Sequence, residues 1–433
     1  MELRFEVSQN EESLLKLTQG QHEHAEIFGT ELASERVYAF PAGAKVAVWT
    51  WHGCHVQLED CKEVYPHKWE ENAEIPMHKY ASIHLRLADM RRLAKEQQTR
   101  GPRVMICGPQ GSGKNALCKL LMNYAARQEN CLLYADLDPA QNDIVPGCVA
   151  AVAIVQPISI EDKFSLLAPL GYFVGETDCT ANSELYKQMC SNLAQTVSQR
   201  AMSPGNEELK YGGVVINTSG LVAEKHVDLL VEAIKDFDVD HVFIMDDEKL
   251  TASLTTKFKP AAGTNDPVTN QNGTALHIEK IVKSGGVVPR NPEVRKQEMG
   301  WLIKEYFYGS RCQPGGISLN PHRLTVPFAD VRIVRIGGHK VKSYMLPAGQ
   351  ASVLDPCQVS MVEPAEELQH RLGGLSFART EKELLTSNIV GLLWIQAVDM
   401  DNKKFTLLLP SPVASNQLPG KYIVVGNMNW LDS

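Results

Sequence analysis

Residues 103–121 read RVMICGPQGSGKNALCKLL, and this stretch decides the fold of the central part of the chain. An apolar run is followed by Gly108, by a second glycine and lysine at Gly113 and Lys114, and then by a helix-forming segment. Strand, glycine-rich loop and helix in this order are the context that a P-loop requires. The sequence therefore predicts a nucleotide-binding α/β domain. The alternative, a glycine-rich turn that binds nothing, is disfavoured.

The loop supplies the groups that hold a phosphate. Backbone N–H groups of such a loop turn inward around phosphate oxygens, and the start of the following helix adds its positive dipole end. Lys114 is placed to reach the outer phosphates. The candidate residues for binding ATP in this loop are Gly108, Gly111, Ser112, Gly113, Lys114, Asn115 and Ala116.

Asn115 occupies the position where a P-loop normally carries Ser or Thr. That hydroxyl binds Mg²⁺, which demands near-ideal octahedral geometry at about 2.0–2.1 Å. An amide oxygen can coordinate a metal, but it lies one bond further from the backbone. We therefore expect Asn115 to be a poorer or water-bridged metal ligand, so that nucleotide binding survives while phosphoryl transfer suffers.

Two acidic residues follow one strand later, in CLLYADLDPAQ at 131–141. A carboxylate at the carboxyl end of a strand beside a P-loop can organise Mg²⁺ or take a proton from an attacking hydroxyl. We expect one of the two, Asp136 or Asp138, to face the site as a metal ligand or as a catalytic group. The alternative is that both carboxylates only cap the following turn.

The chain divides into three predicted parts. Residues 1–95 hold short alternating runs (RFEV, KVAVWTW, CHVQL), which predict a small antiparallel β domain. Residues 96–309 alternate apolar strands with helices and predict a parallel sheet covered on both faces. Residues 310–433 return to strand-like runs and predict a mostly β domain with some helix around EPAEELQHRL.

Within the central part the sequence predicts particular elements. The predicted strands are RVMIC, CLLYADLD, GVVIN, HVFIMD and HIEKIVK, and the predicted helices begin near Lys114, Ser183, Glu224 and Lys249. The charged stretch LADMRRLAKEQQTRGPR, ending in Gly101-Pro102, predicts a linker helix before the P-loop domain.

Composition excludes several classes of protein. Apolar residues make up 44% of the 433 and charged residues 22%, and no apolar run approaches the roughly 20 residues of a membrane-spanning helix. A formal charge of −8 argues against a broad basic nucleic-acid surface, so any RNA contact is expected to be local. The first residues, MELRFEV, lack the pattern of a signal peptide, and we expect a cytoplasmic or nuclear protein.

Ten cysteines occur without any C-x-x-C pair, which predicts buried apolar thiols and no disulfides. His52, Cys54 and His55 could be considered metal ligands. However, TWHGCHVQL at 50–58 alternates like one strand, which would place His52 and Cys54 on one face and His55 on the other. The strand is the favoured interpretation.

Several motifs occur along the chain in a fixed order. They are ELRFEV, AEIFGTEL and AGAKVAVWTWHGC, then GPRVMICGPQGSGK, DLDPAQ, KSGGVV and KEYFYG, and finally FADVRIVRIG. Together they resemble the Clp family of polynucleotide 5′-hydroxyl kinases, whose members are subunits of the pre-mRNA 3′-end cleavage factor. The resemblance covers nearly the whole chain and implies an N-terminal β-sandwich, a central P-loop kinase and a small, mostly β (α+β) C-terminal domain.

The resemblance also implies roles for individual residues. Glu2 and Lys45 would reach the nucleotide from the first domain, and Lys114 would grip its phosphates. Asp138 would activate the RNA 5′-hydroxyl.

Arg290 and Arg295 of RNPEVR match the lid arginines that close on the transferring phosphate. Guanidinium groups stabilise charge on a phosphoryl group in flight, which agrees with that role. Without the resemblance, both arginines would be interpreted as ordinary solvated charges.

The chain departs from the family pattern at positions expected to contact metal or RNA. Asn115 replaces the metal-binding hydroxyl. Leu221 of NTSGL replaces an aromatic residue that stacks on an RNA base, an interaction worth about 1–3 kcal/mol. Asp178-Cys179 stands in place of a Thr-Pro clasp, and Met299 in place of a further lid arginine.

Two functions follow as hypotheses. The first is an ATP-binding cleavage-factor subunit with weak or no kinase activity and weak or absent Mg²⁺. The second is an active RNA 5′-hydroxyl kinase. A metabolite kinase or GTPase rests on the P-loop alone, and the absence of an Asn/Thr-Lys-x-Asp segment counts against the GTPase. The resemblance implies a nuclear protein that binds the scaffold subunit of the cleavage factor, RNA and, in some lineages, a tRNA-splicing endonuclease.

Overall fold

The structure is a computed structural model that describes residues 2–7, 13–18, 24–40, 43–67, 74–160, 169–222, 226–259, 275–287, 291–309, 319–337, 355–413 and 418–431. It contains an N-terminal β-sandwich, a central sheet flanked by helices and a β-rich C-terminal domain. The predicted fold class is confirmed. Among the helices of these ranges, none combines the length and apolarity that crossing a bilayer would require.

The N-terminal domain packs two antiparallel sheets, with strand orders β4-β3-β6-β1-β8 and β5-β2-β7. Alternate side chains such as Phe5, Leu15 and Val48 are buried between the sheets. The strands are β1 Glu2–Val7, β2 Ser13–Thr18, β3 Glu26–Ile27, β4 Thr30–Glu31, β5 Val37–Phe40, β6 Lys45–Trp49, β7 His55–Glu59 and β8 Cys61–His67.

The prediction of one strand across TWHGCHVQL is wrong. β6 ends at Trp49 and β7 begins at His55, and between them Gly53 takes a φ of +101° and donates its N–H to Thr50 Oγ1 at 3.1 Å. A positive φ of this kind breaks the extended path and favours glycine. Nowhere in the described ranges do three or more His, Cys, Asp or Glu side chains form a group able to hold a metal ion.

Helix α1, Pro76–Gln97, is longer than the predicted linker helix and is part of the central domain. Its side chains Tyr80, Ile83 and Leu87 are buried in the same apolar cluster as Leu117 and Leu121. The interpretation as a linker is therefore wrong, because this face of the helix is apolar and packed.

The central sheet has the order β12-β11-β10-β13-β9-β14-β15. Its five predicted strands are confirmed and pair in parallel, whereas β11 and β12, which the sequence patterns do not predict, pair antiparallel at one edge. The strands are β9 Arg103–Cys107, β10 Leu132–Asp136, β11 Cys148–Ile154, β12 Leu170–Phe173, β13 Val214–Asn217, β14 His241–Met245 and β15 His277–Ile281.

Helices cover both faces of this sheet. Along β9, Val104 and Ile106 face the cluster that includes α1 and α2, while Met105 and Cys107 face the opposite cluster, which includes α3, α5 and α6. These helices are α2 Lys114–Arg127, α3 Ser183–Met202, α4 Glu207–Gly212, α5 Val227–Asp236 and α6 Glu248–Phe258.

The last turn of α2 holds the N-terminal domain against the central one. Arg127 Nη1 lies 3.1 Å from Glu26 Oε2, and its Nη2 lies 3.1 Å from Glu31 Oε2. Asn123 Nδ2 donates to the Phe28 carbonyl at 2.8 Å. The β-sandwich is thus fixed to the helix that begins at the P-loop.

Helix α7, Pro292–Tyr308, leads into the C-terminal domain, where Phe307 stacks on Trp430 with ring centroids 5.6 Å apart. The helix predicted around EPAEELQHRL is only a 3₁₀ turn, Glu366–Leu368, before a strand begins at Arg371. The sheet has the order β16-β21-β20-β19-β22-β17-β18. Its strands are β16 His322–Pro327, β17 Arg332–Ile336, β18 Val359–Met361, β19 Arg371–Ser376, β20 Ile389–Asp399, β21 Lys404–Leu409 and β22 Tyr422–Asn429.

Candidate nucleotide-binding site

The P-loop has a backbone that only glycine accommodates well. Gly108, Gly111 and Gly113 have φ values of +141°, +71° and +94°. A Cβ added to Gly108 would lie 2.9 Å from atoms of Met245, and one added to Gly113 would lie 3.0 Å from Val287 Cγ2. Both conformation and space therefore require glycine at the two ends of the loop.

Lys114 is a buried cation at the first residue of α2. Its side chain is 6% exposed, and Nζ donates to the carbonyls of Gly108 and Pro109 at 3.0 and 2.9 Å. Burial lowers the pKa of Lys114, and the charge of Asp138 is the largest effect that opposes this. Beside it, the buried Ser112 Oγ has no hydrogen-bond partner within the part of the chain that is described. A buried cation and an unsatisfied hydroxyl fit a polyanionic ligand.

Asp136 is fully buried, and its carboxylate oxygens are already engaged in hydrogen bonds. Oδ1 accepts from the Asp138 N–H at 3.0 Å and from Asn217 Nδ2 at 2.9 Å, and Oδ2 accepts from the Tyr134 hydroxyl at 3.0 Å. Burial raises the pKa of Asp136 well above its usual range, and the charge of Asp138 adds to this. Asp136 thereby orients the turn that carries Asp138.

A cavity of about 1030 Å³ lies between the P-loop, the N-terminal β-sandwich and α7. Gly108 and Asp136 are outside its lining, and Arg290 lies outside the described residues. The predicted site residues that line it are Glu2, Lys45, Gly111, Ser112, Gly113, Lys114, Asn115, Ala116, Asp138 and Arg295.

Three residues predicted to act on phosphate influence one another in this cavity. Burial raises the pKa of Asp138, while the positive charges of Lys114 and, more weakly, Arg295 act to lower it. The carboxylate of Asp138 is 6% exposed and accepts from the Ala140 N–H at 3.1 Å. A buried carboxylate under the influence of nearby cations can accept a proton from a hydroxyl brought beside it.

The N-terminal wall of the cavity is built on β1 and β6. Glu2, 6% exposed, accepts from Arg4 Nε at 2.8 Å and from Ser284 Oγ at 3.3 Å, which joins β1 to the KSGGVV segment. Lys45 Nζ lies 2.9 Å from Glu6 Oε1. Both predicted residues of the first domain therefore face the same space as the P-loop.

Comparison with known proteins identifies the relationship. The human protein named polyribonucleotide 5′-hydroxyl-kinase Clp1 is 36% identical over 438 residues, which cover all of this chain and 95% of the human protein. The chain belongs to the Clp1 family. The protein CLP1 homolog of Dictyostelium discoideum is 33% identical over 435 residues, covering all of this chain and 88% of that protein. The resemblance inferred from the motifs is confirmed.

Family profiles match the chain in three parts. They are described as the N-terminal beta-sandwich domain of polyadenylation factor (residues 1–94), mRNA cleavage and polyadenylation factor CLP1 P-loop (108–309) and pre-mRNA cleavage complex II protein Clp1 (319–432). Two solved structures share the fold, at TM-scores of 0.76 and 0.77 and 23% identity. They cover 100% and 99% of this chain and 96% and 97% of the solved chains.

Two positions at which the chain departs from the family motifs, Leu221 and Met299, are buried among apolar side chains. Leu221 is 5% exposed and packs in the cluster that includes Met105 and Ile216. Met299 is 7% exposed within α7. Neither side chain is available to a ligand in the way that a stacking ring or a lid arginine would be.

The Asp178-Cys179 pair places an acidic side chain where the family pattern has the Thr-Pro segment that contacts RNA. Asp178 is exposed, and its Oδ1 accepts from the N–H and hydroxyl of Thr180 at 2.9 and 2.7 Å. Cys179 is 6% exposed, with Sγ 3.3 Å from Ser219 Oγ. A negative charge at this point repels an approaching phosphate.

Sequence reasoning missed other residues of the cavity. Tyr65, Glu298 and Trp301 line it as well. The direction of each of these side chains depends on strand register or on the helix face, which the sequence does not give. Trp301 lies close in sequence to the predicted lid arginines, and an aromatic residue at that place was the available signal.

Proposed function

We propose that this chain is the ATP-binding subunit of an mRNA 3′-end cleavage and polyadenylation factor and that its RNA 5′-hydroxyl kinase activity is weak or absent. Its Clp1 relatives carry the name of a polyribonucleotide 5′-hydroxyl kinase. One solved relative is a Clp1p–Pcf11p complex, and the other is described as giving the structural basis for ATP loss in a point mutant. These descriptions support a nucleotide-binding role within a cleavage factor.

One observation carries the proposal. The groups that suit a triphosphate share a single cavity, whereas the positions that would hold RNA are apolar and buried or acidic. Lys114 and the P-loop amides would hold the phosphates, with Glu2 and Lys45 on the side of the base. Bound ATP would then stabilise the joined domains, because a ligand that binds only the folded state adds to its stability.

A magnesium ion would be held weakly. Such an ion would supply positive charge that offsets the charge of the phosphates. Asn115 lines the cavity and would be its protein ligand, while Asp136 already accepts three hydrogen bonds and would act by orienting the loop around Asp138. Mg²⁺ commonly relies on few protein ligands plus phosphate and water, so such a site is compatible with ATP binding.

We infer that Arg295, with Arg290 before it, would close on the outer phosphate. The electrostatic influence of Arg295 on Asp138 supports this for Arg295. Guanidinium groups form bidentate contacts with phosphate, which stabilise it whether or not transfer follows.

We propose a nuclear protein that binds the scaffold subunit of the cleavage factor. The solved Clp1p–Pcf11p complex supports a cleavage-factor partner. A tRNA-splicing endonuclease and RNA are further proposed partners, and they rest on the family resemblance alone.

The alternative is an active RNA 5′-hydroxyl kinase. It is favoured by the common cavity of Lys114, Asp138 and Arg295, which are the groups that phosphoryl transfer would use.

Transfer of labelled γ-phosphate to 5′-hydroxyl RNA with Mg²⁺ separates the two functions. We expect ATP binding with little or no labelled RNA. Strong labelling that is lost in Lys114→Ala would overturn the proposal and establish the alternative. ATP binding should be measured on the same protein sample, so that a misfolded preparation is recognised.

A further inference from the structure

Two large aromatic side chains line the nucleotide cavity and yet remain largely exposed. Tyr65 is 49% exposed and Trp301 is 42% exposed, and both belong to the lining. Exposed aromatic rings at the edge of a cavity retain their stacking capacity for a ligand. Neither is placed in the apolar core, so core packing does not explain their identity.

The register of the N-terminal sheet directs Tyr65 toward the cavity. In β8, Tyr65 pairs with Arg4 of β1, and Arg4 pairs with Ala47 of β6. Directly paired residues of antiparallel strands share one face of the sheet. Arg4 and Ala47 line the cavity, so the ring of Tyr65 stands on the same face.

The helical face of α7 directs Trp301 toward the same space. The residues of α7 that line the cavity follow the spacing of one helix face, and they are Arg295, Glu298, Trp301, Leu302 and Glu305. Trp301 lies about 9 Å along the axis from Arg295, as six residues at about 1.5 Å each require. The end of α7 that carries Arg295 is therefore suited to bind phosphate. The part around Trp301 is suited to bind the sugar or base of the same nucleotide.

Trp301 also reaches the N-terminal domain. A Cβ built on Gly43 would lie 3.8 Å from Cη2 and 3.9 Å from Cζ3 of the Trp301 ring. Gly43 precedes β6, whose first residue, Lys45, is paired with Glu6 at 2.9 Å and lines the cavity. Polar groups able to recognise the edge of a base therefore lie close to the aromatic ring.

We propose that Trp301, with Tyr65 on the lining of the same cavity, is the stacking surface for a nucleobase. The inference rests on the proposed function, since it requires a nucleotide on the P-loop. The stacked base belongs either to the bound ATP or to the first nucleotide of an RNA, and the chemistry of recognition is the same. Leu221 is buried in the core and cannot stack on a base, so an aromatic residue at another position would have to do so.

The first arm of the test measures the affinities of ATP and of inorganic tripolyphosphate, which has no base. It compares the wild-type protein, freed of bound nucleotide, with Trp301→Ala and Trp301→Phe. If ATP supplies the base, Trp301→Ala should weaken ATP binding by about 5- to 150-fold, the range of base–aromatic stacking. Tripolyphosphate binding should not change, and Trp301→Phe should retain most of the ATP affinity. Tyr65→Ala should have a smaller effect in the same direction.

The second arm measures binding of a 5′-hydroxyl oligoribonucleotide at saturating ATP. A loss in Trp301→Ala confined to this arm supports the inference and assigns the base to RNA. Trp51→Ala is the matched control, because Trp51 is 46% exposed on the N-terminal domain and does not line this cavity.

Two results overturn the inference. They are unchanged binding of both ATP and RNA in Trp301→Ala, or an equal loss of ATP and tripolyphosphate binding, which would show a structural effect. A wild-type protein that binds neither ATP nor tripolyphosphate overturns the proposed function and this inference together, so the two failures are distinguishable.

Discussion

The proposed nucleotide side of the site, around Lys114, and the proposed RNA side, around Leu221 and Asp178, differ in what their side chains offer. On the nucleotide side, Lys114 and Ser112 are buried polar groups directed by a loop in which glycine is required. On the RNA side, Leu221 is a buried apolar group and Asp178 is an exposed acidic one. A buried polar group requires a partner, whereas a buried apolar group is satisfied by the core. The difference indicates that ligand binding shapes the first region and packing shapes the second.

The largest expected effect is on the nucleotide side. Lys114→Ala removes the buried cation, and we expect ATP affinity to fall by about 100-fold or more because several charge-assisted hydrogen bonds are lost. Calorimetric titration with ATP measures this. Lys257→Ala is the control, since Lys257 is an exposed helix residue paired with the exposed Asp228 at 2.7 Å. An unchanged ATP affinity in Lys114→Ala would remove the distinction between the two sides.

The layer of side chains between α1 and α2 should respond to pH. His84 of α1 is 7% exposed and packs edge-on against Tyr124 of α2, with ring centroids 5.1 Å apart. Burial lowers the pKa of His84 from its usual 6.5 to about 4. The unfolded chain therefore binds a proton below about pH 6.5, while the folded chain does not until about pH 4. Stability should be lost as the pH falls through this window, by up to about 3 kcal/mol.

Thermal melting between pH 7 and pH 4 measures this effect, and His84→Leu should flatten the profile. His241, whose pKa burial also lowers to about 4, should leave a residual slope. His52→Gln, an exposed histidine, is the control. A profile in His84→Leu as steep as that of the wild type would show that this layer does not depend on a neutral His84.

A smaller effect is expected when an aromatic residue is placed on the RNA side. Leu221→Trp should not restore base stacking, because the position is enclosed by core residues and the larger ring overpacks it, at a cost of about 1–3 kcal/mol. Melting temperature and γ-phosphate transfer are the measurements. Leu93→Trp, at a position 42% exposed on α1, is the matched control. A stable Leu221→Trp variant with increased RNA labelling would show that this position is open to RNA.

The smallest expected effect is at the metal position. Asn115→Ser restores a hydroxyl ligand, and we expect the Mg²⁺-dependent part of ATP affinity to rise by less than about tenfold, since one ligand among phosphate and water changes. RNA labelling should stay low, because the RNA side is unaltered. Titration of ATP with and without Mg²⁺ measures the Mg²⁺-dependent part of the affinity, and Asn115→Ala is the control. Strong RNA labelling in Asn115→Ser would mean that the metal position alone limits transfer.

The sequence predicts those parts of the fold that local pattern determines. The runs that form β9 and β10 are continuously apolar, and their order with the glycine loop determines the central sheet. β11, CVAAVAI, is an apolar run like β9 that the predicted strand patterns do not include, and only its antiparallel pairing with β10 depends on a contact between strands. The helix predicted around Glu366 is shortened to one turn because Arg371 enters a strand held by β20 and β22.

The motifs of the site are predictable from the sequence, but the orientations of its side chains are not. The strand pattern alone does not say which of Asp136 and Asp138 faces the site. In the structure Asp136 accepts hydrogen bonds from Tyr134 and Asn217, whereas Asp138 lines the cavity. The family pattern places Leu221 where an aromatic residue would stack on RNA, but the burial of Leu221 can be seen only in the packed structure. Trp301 escapes prediction for the same reason, since its helix face is set by packing.

The most direct test is to measure the nucleotide released on denaturing natively purified protein, after incubation with Mg²⁺ and 5′-hydroxyl RNA. A chain that holds ATP without transferring it should release close to one intact ATP per molecule, and the RNA should keep its free 5′ end. Release of ADP with phosphorylated RNA, or of no adenine nucleotide at all, would contradict the account.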